Sequence, residues 1–171
     1  EYHFKVAKYF IARDVPVLIE KPVCMNSVDA KRLLWQASNF GAIVFTGHTR
    51  LYSTAWRFFK AKALEEGVRS VRAVAGGPCN IDPLFDWGPH LVAMCIDLGF
   101  DPLKANITAN SDEHALTLIV NHDMVYLDHS TETPRPLEVL LREFIAAIEK
   151  GDPDVRGLEL GVKVVEVLEK L

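Results

Sequence analysis

Apolar and polar positions along the chain follow two periods, and the change between them marks out its organisation. Residues 2–13 put Phe4, Ala7, Phe10 and Ile11 on one face, a helical spacing that Asp14 and Pro16 close. The next run, Val17, Leu18 and Ile19, is uninterrupted and too short for a helix, so it predicts a strand buried on both faces, as in a parallel sheet. Asn26 or Ser27 can cap a second helix through Ala30, Leu33, Leu34 and Ala37, ending near Phe40 and Gly41. Residues 42–45 predict another buried strand. Helix, strand, helix, strand is a βαβ rhythm whose first strand is missing, so the expectation is a chain cut from a longer one.

Beyond residue 50 the pattern changes. Residues 53–66 predict a helix with Trp56, Phe59 and Ala63 inward and Gly67 as its stop. Residues 68–75 predict a strand with Val71, Ala73 and Ala75 on one face, broken by Gly76-Gly77-Pro78 and followed by an irregular loop over 80–85. A helix then opens at Asp86-Trp87-Gly88-Pro89-His90 and runs to Gly99, with proline and glycine at the expected ends. Residues 104–130 alternate like antiparallel strands, with Asn121-His122-Asp123 as the turn of a hairpin. Leu137, Leu140, Leu141, Phe144, Ile145 and Ile148 make an amphipathic helix that Gly151-Asp152-Pro153 ends. The last helix is apolar around most of its circumference and must be covered on more than one side, with Gly157 and Gly161 permitting close packing. The predicted class is α/β: closing βα units of a parallel sheet, then an α+β domain with an open, mainly antiparallel sheet.

Composition narrows the partners. With 171 residues, 49% apolar, and a net charge of −4, the chain can bury a real core and amounts to one domain or slightly more. No basic stripe interleaved with aromatics points to nucleic acid, and no apolar run approaches the roughly 20 residues that span a bilayer. Cys24, Cys79 and Cys95 lack any Cys-x-x-Cys spacing, which predicts buried thiols in a reducing cytoplasm.

Candidate chemistry sits where predicted strands end. Glu20-Lys21-Pro22 follows the first strand at its carboxyl end, the edge at which open α/β sheets bind ligands. A lysine there can be partly desolvated and so serve in proton transfer, and Pro22 stiffens the turn that aims it. A solvated Glu-Lys pair is the commoner outcome on position alone, so the tripeptide gains weight only from its context. The second strand brings residues 48–50 to the same edge. Asp86 and His90, four apart across a helix start, can face one site, where the macrodipole favours an ionised Asp and a neutral, proton-accepting His. An Asp with an exposed His at a helix start is equally common. His114, His122 and His129 follow no metal-ligand pattern such as His-Glu-x-x-His and read as sheet-face side chains, so no metal is expected.

The order of these features, Glu20-Lys21-Pro22 between helix and strand and Asp86-x-Gly88-x-His90 ahead of three strands and a closing helix pair, resembles the glucose-fructose oxidoreductase, inositol dehydrogenase and rhizopine-catabolism (Gfo/Idh/MocA) family. The resemblance covers nearly the whole chain, beginning at His3. It implies that residues 1–49 are the C-terminal remnant of a Rossmann dinucleotide-binding domain and residues 50–171 an α+β domain that shapes the substrate pocket and mediates homo-oligomers. It implies reversible hydride transfer between NAD or NADP and a secondary alcohol of a sugar or polyol-like substrate. Lys21, His90 and Asp86 would be catalytic, with Asp86 orienting His90 or the substrate. Glu20, Lys21, Pro22 and His3 would lie against the cofactor, and Arg50 and Tyr52 against the substrate. One departure is large: no Gly-x-Gly-x-x-Gly occurs, so the turn that cradles the dinucleotide phosphates would lie upstream of Glu1, and these residues alone should bind a dinucleotide poorly. A non-catalytic relic or oligomerisation module is therefore the competing reading. A glucose-6-phosphate dehydrogenase-like enzyme is a weaker one, disfavoured by Val23-Cys24 after the motif and by the short C-terminal domain.

Overall fold

A computed structural model of the chain describes residues 2–79, 81–111, 115–128 and 132–171. Its first unit is built from α1 (Tyr2–Ile11), β1 (Val17–Ile19), α2 (Ser27–Asn39) and β2 (Val44–Thr46). The two strands are parallel, with Val17 opposite Val44 and Ile19 opposite Thr46. Asn26 caps α2 by accepting from the Asp29 N–H, as its sequence predicts. β2 is buried throughout, but Val17 and Leu18 of β1 are only half-buried. Burial of β1 on both faces is thus not realised. Among the described residues this sheet has two strands, so one edge of β1 has no strand beside it.

The core of this unit gathers Ile11, Ile19, Leu33 and Val44 with Leu158, Val162 and Val165 of the last helix, α7 (Arg156–Leu168). The final helix therefore returns to the first sheet, beyond the expected boundary at residues 49–50. Two glycines let it approach. A Cβ on Gly157 would stand 3.0 Å from the Thr46 backbone nitrogen, and one on Gly161 would stand 2.5 Å from Val23 Cγ1. Val23 is fully buried and β-branched, so it cannot swing aside. Gly161→Ala is expected to destabilise the fold by about 1–3 kcal/mol through overpacking, more than the ~1 kcal/mol of helix propensity it gains. A urea midpoint at or above that of the parent chain would refute the packing argument.

The second unit carries a 3-10 turn (Thr49–Tyr52), α3 (Thr54–Glu66), β3 (Val71–Gly76), α4 (Pro83–Asp86), α5 (Gly88–Asp97), β4 (Asn106–Asn110), β5 (Ala115–Val120), β6 (Asp123–Tyr126) and α6 (Pro136–Lys150). Its sheet has the order β4-β3-β5-β6. β5 runs antiparallel to both β3 and β6, and Asn121, at φ 56°, makes the predicted turn between β5 and β6. β4, however, lies parallel to β3, with Arg72 opposite Asn106. Alternation predicts the strand but not its direction; the α5 crossover carries the chain back so that β4 runs alongside β3 in the same sense. The sheet buries Val71, Ala73, Leu116 and Leu118 against Leu91, Met94 and Cys95 of α5 and Trp56 of α3.

Two local expectations also change. The loop over 80–85 contains a helical turn, α4, whose start Asp82 caps through the Leu84 N–H. Asp86 closes that turn, and α5 begins two residues later at Gly88. Asn80, His114 and His129 lie outside the described residues, and among those described no cluster of His, Cys, Asp or Glu could hold a metal ion. No helix among them is long and apolar enough to cross a membrane.

Candidate active site

The carboxyl ends of β1 and β2 are joined where the Gly47 N–H donates to the Ile19 carbonyl at 2.7 Å. Glu20 folds over this junction: a Cβ on Gly47 would stand 3.0 Å from its carboxylate. The Glu20 carboxylate accepts from the Lys21 N–H at 3.1 Å. On the other side, His3 donates from Nδ1–H to the Pro22 carbonyl at 2.8 Å. His3 therefore braces the turn that carries Lys21, a contact that fixes its tautomer.

Lys21 reaches across to the second unit. Its Nζ donates to the Asp86 carboxylate at 2.7 Å and to the Asp86 carbonyl at 2.5 Å. Both side chains are largely covered, at 15% and 30% exposure, so the pair is screened less than a surface ion pair. The short α4 explains the geometry, because ending a helical turn at Asp86 leaves both its carbonyl and its carboxylate facing β1. Asp86 thus holds Lys21, whereas the sequence reading assigns it to His90 or the substrate.

His90 stands in the first turn of α5, 7% exposed, and lines with Glu20, Lys21, Gly47 and Thr49 a cavity of about 530 Å³. The lysine and the imidazole therefore share one pocket. Burial holds the ring's proton affinity well below that of a free histidine, and the positive charges of Lys21 and Arg50, with His48, push the same way. The ring is neutral as predicted, but burial and neighbouring cations cause it. Its Nδ1 is buried without a partner.

Behind this pocket lie Thr46 and His48, to which the sequence reading gave no role, together with Arg50, which the resemblance places against the substrate. His48, 2% exposed, has two buried ring nitrogens with no hydrogen-bond partner, and its pKa is lowered to about 4 by burial and then by Lys21. Thr46 Oγ1 and Arg50 Nε are likewise buried and unpartnered. Burial lowers the Arg50 pKa to about 10, with Glu132 and Asp128 opposing, so the guanidinium remains charged near neutrality. With His90 Nδ1, these five atoms are all the buried, unpartnered side-chain polar atoms among the described residues. Such groups cost stability unless something satisfies them, and these gather around the carboxyl end of β2 and the start of α5. For Thr46 and His48 the signal in sequence is only that they stand at the end of an apolar strand, beside Arg50.

Tyr52 does not join them. It lines a separate cavity of about 290 Å³ with Phe45, Glu143 and Arg156, and burial, aided by Glu143, raises its phenol to about 12. The intervening 3-10 turn sends Arg50 toward the site and Tyr52 away from it.

A cavity at the carboxyl ends of parallel strands, walled by a second α+β unit, defines a two-unit α/β architecture. Solved structures share it. An assigned oxidoreductase from Magnetospirillum magnetotacticum MS-1 superposes with a TM-score of 0.80 at 24% identity, over 98% of this chain and 76% of its own. UDP-N-acetylglucosamine 3-dehydrogenase GnnA from Acidithiobacillus ferrooxidans gives 0.79 at 17%, over 99% and 73%. GenD2 from gentamicin A biosynthesis, in complex with NAD, gives 0.77 at 18%, over 98% and 71%. No family profile and no curated protein matches the chain. The chain has the fold of the Gfo/Idh/MocA-type dehydrogenases.

Proposed function

We propose that this chain belongs to the Gfo/Idh/MocA oxidoreductases and serves reversible hydride transfer between NAD or NADP and a secondary alcohol of a sugar or polyol-like substrate. The observation that carries this reading is the meeting of the Asp86-held Lys21 ammonium and a neutral, buried His90 on one cavity at a parallel sheet edge. In oxidation, the substrate hydroxyl gives its proton to the neutral His90 ring at Nε2, the nitrogen not sealed inside. The Lys21 Nζ donates to the same oxygen as it gains negative charge, and its position is fixed by two hydrogen bonds to Asp86. A nicotinamide held here would supply the hydride acceptor. Glu20, Pro22 and His3 shape the turn beside which it would rest, and Arg50 stands behind as a substrate-side charge.

The donor set fits only the nicotinamide end of a dinucleotide. No glycine-rich turn among the 171 residues could cradle its phosphates. That same lack supports the second reading, a non-catalytic binding or oligomerisation module. The exposed Met124 and Tyr126 on β6 suit self-association through the second sheet, and three free thiols suit the cytoplasm. Titration with NADH and NADPH, read by nicotinamide fluorescence, separates the readings. Binding is expected when the chain is extended by the reading frame preceding Glu1, and only weakly or not at all for the 171 residues alone. No binding in either form would leave the module.

A further inference from the structure

β1 gives one edge to β2 and leaves the other open. The Val17 N–H donates to the Ile43 carbonyl, and the Ile19 carbonyl accepts from the Gly47 N–H. Alternate residues of a strand bond to the same side, so Val17 and Ile19 direct their backbone groups at β2, and Leu18 turns its N–H and C=O outward. By the same alternation the Pro16 carbonyl and the Glu20 N–H stand on the open edge. Residues 15–19 carry none of the charges that usually guard such an edge. The far side of the sheet is closed: the Val44 N–H donates to the Asp154 carbonyl at 2.7 Å, and Gly157 lies against Thr46.

An apolar face flanks the open edge. Leu18 lies opposite Phe45, whose ring meets that of Phe144 on α6 at 5.3 Å, so Leu18 points to the α6 side of the sheet. α6 crosses in the opposite sense to β1, from Leu137 beside Glu20 and Lys21 to Ile148 beside Val15 and Pro16. Along it Leu137, Leu141, Ile145 and Ile148 form one stripe at helical spacing that remains 40–53% exposed. The chain exposes 9269 Å², whereas a compact monomer of 19.2 kDa exposes about 8,400 Å². The excess, about 800 Å², matches what one partner buries in a standard interface.

We propose that this face is an interface between two copies of the chain, related by a two-fold axis through Leu18. The two β1 strands pair antiparallel: each Leu18 N–H donates to the carbonyl of the partner's Leu18, and each Glu20 N–H to that of the partner's Pro16. Both Leu18 side chains then lie on the α6 side, and the two α6 stripes close over them with their helix dipoles opposed. Two sheets of two strands become one of four, the number at which a sheet with a covered face is stable by itself. Pro16 has no N–H with which to lengthen the ladder, and neither copy retains a second open edge on this sheet. The assembly therefore closes as a dimer and does not grow into a filament.

Sedimentation equilibrium of the 171-residue chain at about 100 µM should give about 38 kDa, twice the mass of one chain. Ile145→Lys sets like charges against each other at a position already half-exposed, and should weaken the dimer at least about tenfold without lowering the urea midpoint of the monomer. Leu18→Pro, which removes the outward N–H and spares the ladder to β2, should act in the same direction. Met124→Lys, on the exposed face of β6, should leave the dimer intact. Hydrogen exchange at Leu18 and Glu20 should be slow in the dimer and fast on dilution. A monomer at about 100 µM overturns the proposal, as does a dimer that Ile145→Lys and Leu18→Pro leave intact. Loss of the dimer in Met124→Lys instead assigns association to the second sheet and overturns it too. So does a chain extended ahead of Glu1 that stays monomeric with Leu18 protected at every concentration, because a preceding segment then takes the edge.

Discussion

Replacing Lys21 by methionine is expected to lower kcat by about a thousandfold or more, a loss of roughly 4 kcal/mol of transition-state stabilisation, in any form of the protein that turns over. Methionine preserves the length and apolar stem of lysine but carries no charge. Folding should barely notice. Asp86 loses its partner yet is 30% exposed, so water can replace the ammonium, and the stability change should stay within about 1 kcal/mol. Asp86→Asn should be milder, because the Asp86 carbonyl still accepts from Nζ. Steady-state kinetics beside urea denaturation would test both halves. Parent-like kcat in Lys21→Met removes the lysine from the chemistry, and a large stability loss would recast the pair as structural.

The second large effect is a loss of stability in mild acid. His48 has a folded-state pKa of about 4, depressed from 6.5 because protonation would place a charge in a closed, partnerless site. A depressed folded value means that the unfolded chain takes up the proton first. The contribution of His48 is therefore complete above pH 6.5 and drains away as pH falls toward 4. The shift corresponds to about 3 kcal/mol, and His90, displaced in the same direction, adds to it. Asp154 and Glu169 also have lowered values, so their losses fall largely below this window. Urea midpoints measured from pH 7 to pH 4 should drop steeply in the parent chain. His48→Leu removes two nitrogens that bond to nothing, so its stability at pH 7 should lie within about 1 kcal/mol of the parent and its slope should be shallower. An unchanged slope would mean that His48 is hydrated and titrates normally.

Retaining a buried imidazole at such cost is the usual mark of a site shaped for a ligand and not for stability. The same holds for Thr46 Oγ1 and Arg50 Nε. α7 supports this edge from behind: Gly161 lies against Val23 and Thr46, the neighbours of the Lys21 and His48 turns. Packing changes in that helix should therefore reach the site before they unfold the chain.

What could be read from the chain was what depends on near neighbours. The apolar run ending in Glu20-Lys21-Pro22, the Asn26 cap, the turn at Asn121 and the close-packing glycines of α7 each follow from a few adjacent residues, because backbone sterics and short periodicities act locally. Those features sufficed to place Lys21 at a sheet edge and His90 at a helix start. Tertiary structure decided the pairings. Asp86 bonds Lys21 and leaves His90 alone because a single helical turn ends at that residue, and β4 runs parallel to β3 because α5 crosses between them. Tyr52 turns away from the pocket while His48 closes in behind it. A one-dimensional pattern records which face a residue takes, but not which distant element meets that face. The partners of a charge, and hence its chemistry, are set only when the elements pack.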